Sequence, residues 1–122
     1  MPMDVIAIHR CGEARPLFRS VRHARTLWHR LRGLIGRPRL SPGEGMLITP
    51  CNSVHTVGMG YALDVVFLDR DGRVLKLVSH LRPLRFAGRR GARHALELPA
   101  GAAAAAGIHV GQCLTWTTEG PA

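Results

Sequence analysis

Residues 61–81, YALDVVFLDRDGRVLKLVSHL, are the stretch on which the fold turns. Asp64 leads into the unbroken apolar run Val65 to Leu68, Asp69 to Gly72 supply turn chemistry, and Val74, Leu75, Leu77 and Val78 return as a second apolar segment. Two such segments, joined by acids and a glycine free to take positive φ, predict a β-hairpin. An acid at the head of an apolar strand is costly to bury alone, so Asp64 is expected to meet backbone amides, an arginine or His55.

Toward the N-terminus, DVIAIHR at 4–10 reads as a short strand. Residues 20–40, SVRHARTLWHRLRGLIGRPRL, change period: Leu27, Leu31 and Leu34 or Ile35 recur at helical spacing. Thr26 is the expected N-cap, Gly36 and Pro38 the expected end, and Trp28 with the leucines a packing face. Pro42, Gly43 and Gly45 then make a turn, and Met46 to Thr49 run extended until Pro50.

Toward the C-terminus, RPLRFAGRRGARH at 82–94 has the composition of a surface loop, and HALELP at 94–99 that of a strand. A short alanine helix is expected over Ala102 to Ala106, ended by Gly107, and QCLTWTT at 112–118 forms a last strand. Six or so short strands with one or two short helices predict a mainly β domain, a sandwich or barrel of jelly-roll character spanning 1–122. A chain of 122 residues with 46% apolar content suits one domain with one core.

Composition narrows the function. Neither the opening MPMDVIAIHRCGEARP nor any later apolar run is long enough for a secretory signal or a membrane span, so a cytoplasmic protein without a membrane partner is expected. Cys11, Cys51 and Cys113 are odd in number and widely spaced, which reads as free, mostly buried thiols. The formal charge is +9, and it is concentrated. No acid lies between Glu13 and Glu44, where there are eight arginines, or in the stretch from Gly72 to Ala95. Such a field attracts polyanions at low salt without specificity. Since aromatics are only 5% of the chain, the stacking platforms of single-strand binders are scarce, and specific nucleic-acid binding is not expected.

The segment CNSVHTVGMG at 51–60 places a thiol, an imidazole and a thioether four residues apart, a donor set suited to soft metals. In a straight strand, positions four apart are separated by ~13 Å. Cys51, His55 and Met59 therefore share a site only if the chain bends, which Pro50, Gly58 and Gly60 permit. Cys51 or Ser53 as nucleophile, His55 as base and Asp64 as orienter form a second reading. Asp69 and Asp71 resemble the start of a calcium loop, but its further acids are missing, which leaves them as turn residues.

Three phrases, RLRGLIGRPRLSPGEGMLI, SVHTVGMGYALDVVFLDRDGRVL and ALELPAGAAAAAGIHVGQ, occur in the order and spacing of the domain of unknown function 192 family, which the chain resembles from about Thr26 to about Thr115. The matching positions include Gly33 to Gly36, Gly43 to Met46, Met59, Asp64, Asp69, Asp71 and Glu97 to Pro99. Where the family has bulky aromatic or basic residues beside its methionine, Gly58 and Gly60 flank Met59 here. Many relatives resemble exported proteins with leader segments, and none is read in this chain. The resemblance implies a small β-sandwich or barrel and no established reaction, ligand or partner.

The expectation that follows is a small-ligand or protein-binding β domain, with no cofactor and with Glu44, Cys51, His55, Thr56, Met59 and Asp64 as pocket candidates. The alternatives are a metal-dependent or Cys/His hydrolytic enzyme using Cys51, His55 and Asp64, and non-specific nucleic-acid binding through the arginines. Glu97, beside Pro99 at a strand end, has no function in this reading.

Overall fold

The computed structural model describes residues 3–121, without the side chains of residues 27, 28, 120 and 121. Its strands are β1 (Asp4–Arg10), β2 (Pro16–Ala24), β3 (Glu44–Ile48), β4 (Ser53–His55), β5 (Leu63–Leu68), β6 (Val74–Leu81), β7 (Phe86–Gly88), β8 (His94–Pro99) and β9 (Leu114–Pro121). The helices are α1 (Leu27–Arg32) and α2 (Ala102–Ala105). No helix among the described residues is long and apolar enough to cross a membrane.

The predicted hairpin is β5–β6, and its turn is fixed by two local devices. Asp69 Oδ1 accepts from the amides of Asp71 and Arg73 at 2.9 and 3.0 Å, which closes the loop on itself. Gly72 sits at φ +87°, and a Cβ there would lie 2.1 Å from the Leu114 carbonyl oxygen, so no other residue fits. Through that close approach the hairpin turn meets the start of β9.

Seven strands form one sheet in the order β6-β5-β8-β3-β2-β1-β9, and β4 pairs with β7 in a separate ribbon. Among the described residues only β2 and β3 pair in parallel; they are joined through α1 and the turn that follows it. The sheet curls until Arg73 and Cys113 form an isolated bridge between its two edges, but it is not closed into a barrel. The fold is thus mainly β, as expected, while the paired sheets of a jelly roll are not seen among the described residues.

Three local expectations are corrected. Thr26 does cap α1, accepting from the His29 amide at 3.2 Å, but the helix ends at Gly33 (φ +52°) rather than at Gly36. Residues 16–24 form a strand because β1 and β3 flank them, although residues 20–24 open the segment read at helical period. The surface loop expected at 82–94 contains β7, which pairs with β4 from Ser53 to His55. The packing face read at Leu27 and Trp28 lies outside the described side chains.

The cysteines are also corrected. Antiparallel pairing of β1 with β9 sets Arg10 opposite Leu114, which brings the next residues, Cys11 and Cys113, to a Cα separation of 5.4 Å in a disulfide. Only Cys51 is free, and it is half-buried.

The largest apolar cluster fills the inside of the curl, from Ile6 and Ile8 through Val21, Leu47, Val66 and Leu96 to Leu114, with α2 as its lid through Ala103. A second cluster gathers Leu34, Met46, Ile48 and Leu63, with Cys51, Met59 and Tyr61 at its margin. A third holds Val54, Val65, Phe67 and Ala95 beneath the β4–β7 ribbon. The candidate site opens where the second and third clusters meet.

Candidate functional site

β8 lies between β5 and β3, so its side chains are buried on both faces from His94 to Leu98. One of them is an acid. Glu97 stands opposite Met46 on β3 and Val65 on β5, and is only 5% exposed. Among the described residues no donor or cation holds its carboxyl, and burial alone pushes its pKa up to about 7. At neutral pH the group is therefore divided between acid and carboxylate.

The carboxyl faces a cleft of about 80 Å³. In this measure a water needs roughly 10–15 Å³, so there is room for several waters or a small polar group. Gly33, at the end of α1, keeps the approach open, since a side chain there would begin 3.9 Å from Glu97 Oε1. Ile48, Cys51, His55 and Met59 form further walls, and Arg30 and Arg32 border the space. Both guanidiniums are tethered by main-chain oxygens, Arg30 Nε to Pro50 O at 3.1 Å and Arg32 Nε to Ile35 O at 3.2 Å. The cleft thus has an acid inside and cations along its border.

Tyr61, which lines a neighbouring pocket with Arg39 and Pro99, carries an unsatisfied group. Its hydroxyl is buried without a partner among the described residues, and burial, followed by the charge of Glu97, raises its pKa. The Arg39 guanidinium lies over its ring at 5.0 Å from the centroid. Native interiors rarely leave such groups orphaned unless water, an ion or a ligand serves them.

The residues singled out by sequence divide. Cys51, His55 and Met59 do line one cleft, because β4 is only three residues long and the chain turns at Gly58 (φ +86°). Among the described residues no three His, Cys, Asp or Glu side chains group closely enough to hold an ion. The Cys51 thiol donates to the Ser53 carbonyl at 3.1 Å, and burial raises its pKa, opposite to what a nucleophile needs. The ring of His55 packs instead near Phe86, centroid to centroid 6.1 Å.

Thr56, Asp64 and Glu44 lie elsewhere. Thr56 is fully buried; its hydroxyl donates to the Arg82 carbonyl at 2.7 Å and accepts from the Arg85 amide at 2.9 Å, clamping the turn before β7. Asp64 is fully buried and accepts from the amides of His80, Gly101 and Ala103 at 2.9, 3.0 and 3.0 Å, holding α2 against the sheet. Its imidazole neighbour is His80, 4.0 Å away, and not His55. Glu44 accepts from the Ser41 amide at 2.6 Å and closes a turn.

Glu97 is the residue that sequence reasoning passed over. The signal was present: an acid within HALELP is as anomalous as an acid before VVFL.

Two solved structures share the fold. One is a protein of unknown function from Novosphingobium aromaticivorans, at 25% identity and TM-score 0.76, covering 92% of this chain and 84% of that one. The other, from Sinorhizobium meliloti and provisionally described as a transcription regulator, has 21% identity and TM-score 0.79, covering 95% and 96%. A search of curated proteins finds no match to the chain. The sequence matches the family DUF192, described as Uncharacterized ACR, over residues 8–116, and the chain belongs to that family.

Proposed function

We propose that this chain is a small-ligand-binding β domain whose site is the cleft floored by Glu97. A buried carboxyl that faces a cavity and meets no donor among the described residues is the observation that carries the reading. Such a group costs stability on its own, and a ligand that hydrogen-bonds or pairs with it recovers that cost. The ligand accordingly presents an N–H, O–H or ammonium group to Glu97 and a polar or anionic end to Arg30 and Arg32.

The test is a screen of small amines, amides, guanidines and carboxylates, read from the Met59 ε-methyl resonance of the full chain. Compounds bearing a donor group should shift Met59, and the shift should vanish in Glu97→Gln. If no compound moves Met59, or if Glu97→Gln binds as the wild type does, the reading fails. The Cys11–Cys113 disulfide favours an oxidising compartment over the cytoplasm, where thiols are held reduced.

A further inference from the structure

The cleft is surrounded by apolar side chains that face water. Leu31 is 67% exposed, Leu84 67% and Phe86 78%, with Val57 and Ile35 also exposed. These are five of the six exposed large hydrophobics among the described residues. Leu31 and Ile35 border the cleft together with His55. Ile35 lies beside Gly58, where a Cβ would be 3.9 Å from its Cγ2, and so next to Val57. Across the ribbon, His55 pairs with Phe86, and the Leu84 amide donates to the Thr56 carbonyl.

The fold holds this patch outward. Leu84 adopts φ +62°, a conformation unfavourable for a bulky side chain. It is fixed there by Thr56, whose hydroxyl and main chain together bind Arg82, Leu84 and Arg85. A buried hydroxyl thus presents Leu84 and Phe86 to solvent, where neither serves the core. Strain of this kind, held in place by buried hydrogen bonds, is characteristic of working surfaces.

The same segments are uniformly basic. Arg30 and Arg32 flank Leu31, Arg82 and Arg85 flank Leu84, and the sequence has no acid in 14–43, 45–63 or 72–96. We propose that this face docks on an anionic lipid surface, with Leu31, Leu84 and Phe86 entering the boundary between headgroups and chains and the arginines meeting the phosphates. A peptide helix would need a groove to receive its side chains, and here the apolar groups stand out singly around a small cleft. A bilayer accepts protruding side chains one at a time. Sequence alone points away from a membrane because the patch is assembled from three short segments, none apolar enough to notice.

Flotation of the full chain with vesicles tests this, using phosphatidylcholine alone and phosphatidylcholine mixed with phosphatidylglycerol at low salt. Binding is expected to the mixed vesicles and to fall about tenfold or more in the Leu84→Ser, Phe86→Ser double variant. It should fall likewise in Arg82→Gln, Arg85→Gln, and remain unchanged in Val110→Ser, an exposed apolar control outside the patch. All the altered side chains are exposed, so melting curves should match the wild type; Leu31→Ser gives a second apolar variant on a separate element.

Absence of binding to mixed vesicles overturns the proposal. So does binding that the apolar variants leave intact, which is plain charge attraction. Tighter binding to a duplex oligonucleotide, with Leu84 and Phe86 dispensable, would assign the face to nucleic acid instead.

Discussion

Asp64 and Glu97 sit one register step apart on the paired strands β5 and β8, Asp64 opposite Leu98 and Glu97 opposite Val65. Because side chains alternate along a strand, the two carboxyls point to opposite faces of the sheet. Both are removed from water. Asp64 receives three backbone amides and ties α2 and the end of β6 to β5, whereas Glu97 meets no donor among the described residues and faces a cleft. Burial by itself says little about the purpose of an acid; the donors around it separate a structural carboxylate from one kept in reserve.

The strongest way to break this comparison is to remove the satisfied member. Asp64→Ala leaves three amides unpaired and should cost about 3–5 kcal/mol, with loss of α2, read by urea unfolding and by hydrogen exchange at Ala103.

A third buried cluster sharpens it in acid. His23 Nε2 and His94 Nδ1 share the Thr49 hydroxyl at 2.9 and 2.6 Å, and Trp116 meets both rings edge-on. Burial first, then nearby arginines, lowers both pKa values from 6.5 to about 4. The unfolded chain therefore binds more protons between those values, and the stability these histidines lend is full above pH 6.5 and is lost as pH falls toward 4. Discounted for screening, the loss should be about 2–3 kcal/mol for the pair, seen as a falling urea midpoint that His94→Gln flattens.

Glu97 runs the other way. Its pKa rises from 4.5 to about 7, so the folded state holds the extra proton, and the penalty of its charge is absent below pH 4.5 and complete above pH 7. Glu97→Gln should therefore stabilise the protein by about 2–3 kcal/mol at pH 8 and by almost nothing at pH 4.5, while abolishing ligand shifts at Met59. Since the two trends offset one another in the wild type, the same variant should steepen the histidine-driven acid limb. If Glu97→Gln destabilises at pH 8, the carboxyl is structural and the contrast with Asp64 collapses.

The smallest effect is expected at Thr56. Thr56→Val should cost about 1–2 kcal/mol and free the 82–85 turn, with faster hydrogen exchange at Arg85 and little change elsewhere.

What the sequence disclosed follows the range of the interactions. The β5–β6 hairpin was legible because its strands, its Asp69 clasp and Gly72 are neighbours in the chain, and Thr26 was legible as a cap for the same reason. Residues 16–24 were not, because their strand character comes from β1 on one side and from β3, twenty residues on, at the other. β4 and β7 are three residues each, too short to show a period. The pairing of Cys11 with Cys113 spans 102 positions and no local pattern announces it. Among the site residues, Cys51, His55 and Met59 converge as a bend at Gly58 allows, while of the partners expected for Asp64 the backbone amides, at α2 and His80, engage it and His55 does not.

The sheet order also bears on how the chain reaches its fold. β1 is complete on one side once β2 has been made, yet its other neighbour is β9, the last strand in the sequence. During synthesis, the backbone groups along that side of β1 have no partner until residues 114–121 leave the ribosome, so the early half of the sheet waits with an open edge. Folding should then be governed by this late, long-range docking rather than by the quick β5–β6 hairpin, and the exposed edge of β1 is where a nascent or truncated chain would most readily pair with another.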